Sequence, residues 1–207
     1  MRVLFISLAI VLIDQVTKLL VKGFSIPFLN IRYTGMLYGE RHNIIGDFLR
    51  FTYIENPGMA FGIDLGVSSK LLLSLFSVAA SIAIIIYLFK IKNESLSLRI
   101  SLAVILGGAA GNLIDRVFYG LFYGYAPLFY GKVVDFIDLD FFKMRLFGYS
   151  FDRWPVFNIA DMAVSVGVIL LLIFSGNAKQ PEHASGDVSG ETQSNISEPL
   201  DNGKSDQ

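Results

Sequence analysis

Four runs of this sequence, residues 3–21, 69–89, 100–120 and 157–174, are long and apolar enough to cross the hydrocarbon core of a bilayer, which takes roughly 20 residues of α-helix. No other feature constrains the fold as strongly, because in lipid every backbone N–H and C=O must find a partner within the chain, and a helix does this segment by segment. Composition agrees: 53% of the 207 residues are hydrophobic and 17% charged, too apolar for an ordinary water-soluble domain. The expected fold is a membrane protein, mainly α, with four transmembrane helices and a small extracytoplasmic β-sheet region. The first run follows Arg2 in the manner of a secretory signal. Asp14, Gln15 and Lys18 come directly after its apolar centre and no small-residue cleavage pattern is evident, so it reads as a retained span.

Residues 1–175 read as one membrane-embedded domain and 176–207 as a disordered cytoplasmic tail, polar, rich in Gly and Ser and without apolar period. The tail carries six acidic residues against Lys179 and Lys204, which leaves the rest of the chain with 12 acidic and 15 basic residues. That surplus belongs to the flanks of spans and carries no sign of nucleic-acid binding. Lys90, Lys92 and Arg99 crowd the short link between the second and third spans, which places that link and both termini in the cytoplasm; Lys18 and Lys22 weigh mildly the other way. Two long segments then face outward. In the first, residues 48–54 are aromatic and β-branched and predict a strand. The second carries FYGLFYGYAPLFYG, suited to a membrane–water interface.

There is no cysteine, and His42 and His183 are too few and too far apart for a zinc site. Neither GxSxG nor HExxH occurs. No metal or cofactor is expected, and any chemistry must come from Asp, Asn, Lys and Arg. An ionised side chain at membrane depth costs about 3 kcal/mol or more unless paired or hydrated, so each is a functional candidate. Asp14, Asp115, Arg116 and Asp161 all fall in the outer half of the bilayer. Asp115 and Asp161 share a frame, Asn112-Leu-Ile-Asp115 and Asn158-Ile-Ala-Asp161, whose i, i+3 spacing sets an amide beside each carboxylate. The frames suit helix clamps, with Asn158 as an N-terminal cap, as well as catalysis. Asp135 lies between apolar neighbours, where burial raises a carboxyl pKa; a second carboxylate nearby would make the pair share one proton. An interfacial acidic residue on a turn is the plainer alternative. Asn56-Pro-Gly58 reads as a turn, and Asp14 with Lys18 as an i, i+4 ion pair.

Together DQVTK at 14–18, NPGMAFG at 56–62, GGAAGNLIDR at 107–116, GKVVDFID at 131–138 and FNIAD at 157–161 resemble, in order, the motifs of lipoprotein signal peptidase (signal peptidase II). The resemblance covers roughly residues 1–175. It implies an intramembrane aspartic endopeptidase of the bacterial inner membrane that cuts diacylglyceryl-modified prolipoproteins before the modified cysteine. It further implies Asp135 and Asp161 as the catalytic pair and membrane lipid and the inhibitor globomycin as partners. Asp14, Lys18, Asn56, Gly58, Asn112, Asp115, Arg116 and Asn158 then shape the site or bind substrate.

The chain departs from the family pattern in two insertions, 118–130 and 139–153. Both fall in outward loops, where added length costs only about 0.6 kcal/mol per doubling. Two other classes remain open. A proton-coupled transporter also places Asp, Arg and Asn inside helices, but needs polar residues across the whole bilayer; a non-catalytic scaffold leaves the paired Asn-x-x-Asp frames without a purpose.

Overall fold

The structure is a computed structural model of the 207-residue chain that describes residues 2–58, 67–140, 144–146, 149–151 and 154–175. Helix α1 covers Leu4–Lys22 and leads into a hairpin of β1 (Phe24–Ile26) and β2 (Ile31–Tyr33), followed by β3 (Arg41–Ile45) and β4 (Leu49–Asn56). Helices α2 (Val67–Lys90) and α3 (Leu96–Ile114) come next, and α3 runs on through a π-helical turn, Asp115–Tyr119, into a last turn, α4 (Gly120–Phe122). Strands β5 (Val133–Leu139), β6 (Met144–Leu146) and β7 (Tyr149–Phe151) precede helix α5 (Ile159–Ser175). The expected tail lies outside the described residues, as do Met59 to Gly62 of the second motif.

All four apolar runs are helical. The first, second and third are long enough to cross a membrane, whereas α5 has 17 residues, about 26 Å at 1.5 Å per residue. It begins two residues later than the apolar run because Phe157 is held in a bridge to Ile137 of β5 and Asn158 takes the cap position, accepting Asp161 N–H at 2.9 Å. The third run starts earlier than expected, at Leu96, where Ser95 caps the helix through Leu98 N–H. Large apolar side chains remain exposed along α1 (Phe5, Leu8, Leu12, Val16), α2 (Leu72, Phe76) and α5 (Ile169, Leu172, Ile173). On a water-soluble protein such stripes would be buried; here they suit lipid.

Helix α3 is the centre of the bundle, packing against α1, α2 and α5. Without a hydrophobic gain from lipid, helices associate by close approach, which small residues allow. At Gly111 a Cβ would stand 2.6 Å from Asp14 Oδ2. Gly111→Ala is therefore expected to destabilise by about 1–3 kcal/mol, read as a lower unfolding midpoint in detergent, and an unchanged midpoint would show that α1 can give way.

The sheet sits on one end of this bundle. Strands β3, β4 and β5 are antiparallel in that order, and β4 carries a bulge, since Phe51 pairs with Ile137 but Ile54, three residues on, pairs with Asp135 only two residues back. The strand expected at 48–54 is thus β4, displaced by a residue or two. A core of Val21, Tyr53, Tyr119, Val134, Phe136 and Ile137 fixes the sheet to α1 and the end of α3. A second apolar core, of Val3, Leu88, Ile91, Leu102, Ala103 and Leu106, fills the opposite end.

Candidate active site

Where β5 meets the C-terminal end of α3 and the N-terminal end of α5, two layers of polar side chains lie one above the other. The deeper layer is ionic. Lys18, Asp14 and Asp115 have side chains with no exposure at all, and the Lys18 ammonium stands 2.8 Å from a carboxylate oxygen of each aspartate. Burial of charge is tolerated only with added hydrogen bonds, and here each carboxylate oxygen accepts at least one: Gln15 Nε2 donates to Asp14 at 3.1 Å and Asp115 at 2.9 Å, Val134 N–H to Asp115 at 3.1 Å, and Ala160 N–H to Asp14 at 3.0 Å. Tyr119 completes the set by donating its hydroxyl to Gln15. One cation thereby joins α1, α3, β5 and the first turn of α5.

The upper layer is two carboxylates and two amides. Lys18 also donates to Asn112 Oδ1 at 2.9 Å, and this fixes which end of the Asn112 amide is nitrogen, so Nδ2 donates to Asp161 Oδ1 at 2.7 Å. Asp161 Oδ2 accepts Asn158 N–H at 3.2 Å. The Asn158 side chain donates to Asp135 Oδ1 at 2.7 Å and to Asn112 Oδ1 at 3.1 Å. Asp135, only 4% exposed, is also hydrogen-bonded by Asn56. Asn56 Oδ1 accepts Gly58 N–H at 2.9 Å, which leaves its amide nitrogen for that carboxylate; Gly58, at φ +102°, holds a turn that a side chain would strain. Burial, then the neighbouring charge of Asp161, push the Asp135 carboxyl up to about 7, against the pull of Asn158 and Asn56. Arg116 lies within the fields of Asp115, Asp161 and Asp135, donating weakly to Asn112 O at 3.5 Å.

A family model described as signal peptidase (SPase) II matches residues 6–176. The chain belongs to the signal peptidase II family. Curated relatives include the lipoprotein signal peptidases of Chlorobium phaeobacteroides, 32% identical over 82% of this chain and 88% of the relative, and of Amoebophilus asiaticus, 37% identical over 81% and 75%. The fold is similar to a bacterial membrane enzyme solved at 1.9 Å, with a TM-score of 0.59 and 32% identity over 83% of this chain and 90% of that one. As a signal peptidase II, this chain is a multi-pass membrane peptidase.

All ten residues singled out in the sequence lie in or beside these layers, but the wiring differs from the i, i+3 expectation. Asn112 does not hold Asp115; it holds Asp161 across the helix interface. Asn158 braces Asp161 through backbone contacts and sends its side chain to Asp135. Asp115, where the π-helical turn opens, meets Lys18 instead of the Asn112 amide. The expected i, i+4 ion pair of Asp14 and Lys18 is present at 2.8 Å, but it is fully buried and Asp115 shares the cation. Sequence reasoning passed over Gln15, although a side chain able to both donate and accept, placed between Asp14 and Lys18 at membrane depth, was the available signal. Tyr119 was hidden in the first insertion.

Proposed function

We propose that this signal peptidase II is an aspartic endopeptidase that removes the signal peptide from diacylglyceryl-modified prolipoproteins, cutting before the modified cysteine. The observation that carries the proposal is a pair of carboxylates that differ in environment. Asp161 accepts two hydrogen bonds, from the Asn112 amide and from Asn158 N–H. Asp135 is buried and raised to about 7, which suits it to hold the shared proton. Ionised Asp161 then takes a proton from water as that water attacks the scissile carbonyl. Asp135 donates its proton to the carbonyl oxygen, giving a gem-diol; as the C–N bond breaks, the proton held by Asp161 passes to the leaving amine and a gem-diol hydroxyl returns its proton to Asp135. The Asn56 amide, bonded to Asp135, and the Arg116 charge, within the fields of both carboxylates, are the groups available to stabilise the oxyanion.

The site belongs near the outer face of the inner membrane, with both termini cytoplasmic. Lys90, Lys92 and Arg99 lie at the bundle end opposite the sheet, while the two lysines that argued otherwise are consumed by ion pairs: Lys18 with Asp14 and Asp115, Lys22 with Glu55. The substrate's acyl chains then stay in the outer leaflet beside the exposed apolar helix faces.

The test is cleavage of a synthetic prolipoprotein peptide by the purified protein, read by mass spectrometry. A single cut before the lipid-modified cysteine, no cut in the unmodified peptide and inhibition by globomycin are expected; failure to cut the modified peptide overturns the proposal. A second expectation concerns pH. A dyad works with one proton, so kcat falls once the second carboxyl ionises; the alkaline limb of its profile should centre near the value of Asp135, about 7. A profile flat to pH 9 would remove Asp135 as the acid.

A further inference from the structure

Behind the end of β4 lies a second cluster of charge that the reaction does not use. Glu55 Oε1 receives the Lys22 ammonium and, at 2.7 Å, the Tyr53 hydroxyl; its Oε2 faces Lys132 Nζ at 3.2 Å. Lys22 sits among three aromatic rings, 4.3 Å from the centroid of Tyr123, 5.3 Å from Tyr125 and 5.9 Å from Tyr53. The first insertion supplies the lid: Tyr123 donates its hydroxyl to Gly23 O at 2.7 Å, and Tyr125 accepts Lys132 N–H at 2.9 Å. Lys22, Tyr53 and Lys132 therefore meet one carboxylate, with Tyr123 and Tyr125 around the Lys22 ammonium.

Successive residues of a strand point to opposite faces, so Glu55 is held from one side while Asn56, the next residue and the last of β4, is offered to the other. A strand end that runs into a glycine turn frays unless something holds it. We infer that Lys22, Glu55 and Lys132, closed over by Tyr123 and Tyr125, form a positioning clamp that sets the Asn56 amide against Asp135. The clamp rests on the aspartic reading above, and it gives the 118–130 insertion a purpose: it completes the cage around Lys22.

The groups that face the clamp are Lys22, Lys132, Tyr53, Tyr123 and Tyr125. Burial works to raise the Glu55 carboxyl, but Lys22, Tyr53 and Lys132 bring it below the usual carboxylate range. Burial also pushes Tyr123 and Tyr125 up to about 12. Near neutral pH the clamp keeps one charge state, so a change in the kcat profile there reports the dyad and not the clamp.

The experiment compares wild type, Glu55→Gln, Asn56→Ala and the double variant on the lipid-modified peptide, with kcat and KM followed across pH. Glu55→Gln is expected to lower kcat on the order of tenfold while KM stays within about twofold, and to move the alkaline limb to higher pH, because a carboxylate that loses a hydrogen bond holds its proton longer. Asn56→Ala moves the limb the same way, and the double variant no further. A Glu55→Gln profile that superposes on wild type, or shifts that add in the double variant, would overturn the clamp. Lys132→Met removes one arm from the more exposed side and should give a smaller shift of the same sign; it decides the matter if Glu55→Gln does not fold. Full cleavage by Asp135→Asn would instead sink the aspartic reading itself, an outcome distinct from a wild-type Glu55→Gln beside an inactive Asp135→Asn.

Discussion

Asp135→Asn and Asp161→Asn are each expected to lower kcat for the lipid-modified peptide by roughly a thousandfold or more, with the protein still folded in detergent. Asparagine keeps the shape of aspartate and can still accept one hydrogen bond, but it cannot take a proton from water or donate one as an acid. At position 161 the oxygen can stay on Asn112 Nδ2, where Asp161 now accepts at 2.7 Å, and the longer 3.2 Å contact from Asn158 N–H is lost. At position 135 the oxygen can keep the 2.7 Å bond from Asn158. Structure is therefore conserved while the chemistry is removed. Because base and acid act as a unit, the double variant should be no worse than either single one. Asp138→Asn is the control: Asp138 is buried and accepts the Thr52 hydroxyl at 2.7 Å, which an amide oxygen can also do, and it lies an odd number of residues from Asp135 on the same strand, facing away from it. Cleavage within tenfold of wild type by either dyad variant would remove that residue from the mechanism.

What could be read from the sequence was decided by locality. Apolar runs of membrane length announce themselves in a single window, so all four helices were legible, and charges at membrane depth stand out because lipid makes them costly. The geometry among them was not legible, since it depends on pairs such as Lys18 with Asp115 and Asn112 with Asp161, 97 and 49 residues apart. Spacing within one helix suggested that each Asn served its own Asp; this holds for Asn158, whose N–H and Oδ1 both meet Asp161, but Asn112 serves Asp161 while Asp115 turns to Lys18. Glu55 illustrates the same limit. Beside the turn residues of Asn56-Pro-Gly58 it looks like solvent-facing polarity, and only the approach of Lys22 and Lys132 from 33 and 77 residues away makes it a hub.

Lys18→Met should be the most damaging substitution for stability. Methionine matches the length of the stem, but two carboxylates without any exposure would lose the cation 2.8 Å from each. Removing one partner of a buried ionic set costs about 3–5 kcal/mol because the charge left behind is uncompensated, and in a chain of this size that lowers the unfolding midpoint by roughly 10 °C. The test is thermal unfolding in detergent beside the triple variant Lys18→Met, Asp14→Asn, Asp115→Asn, in which no charge is left unpaired. The triple variant should recover part of the loss, and equal midpoints for Lys18→Met and wild type would show that the triad is not what staples the helices. Activity separates the two layers further. Lys18 keeps Asn112 Oδ1 turned toward itself, and so keeps Nδ2 on Asp161; without it the Asn112 amide is free to reverse and present oxygen to a carboxylate. The triple variant, even where folded, is therefore expected to regain stability without regaining full kcat, because the buried lysine both joins the helices and, through Asn112, orients Asp161.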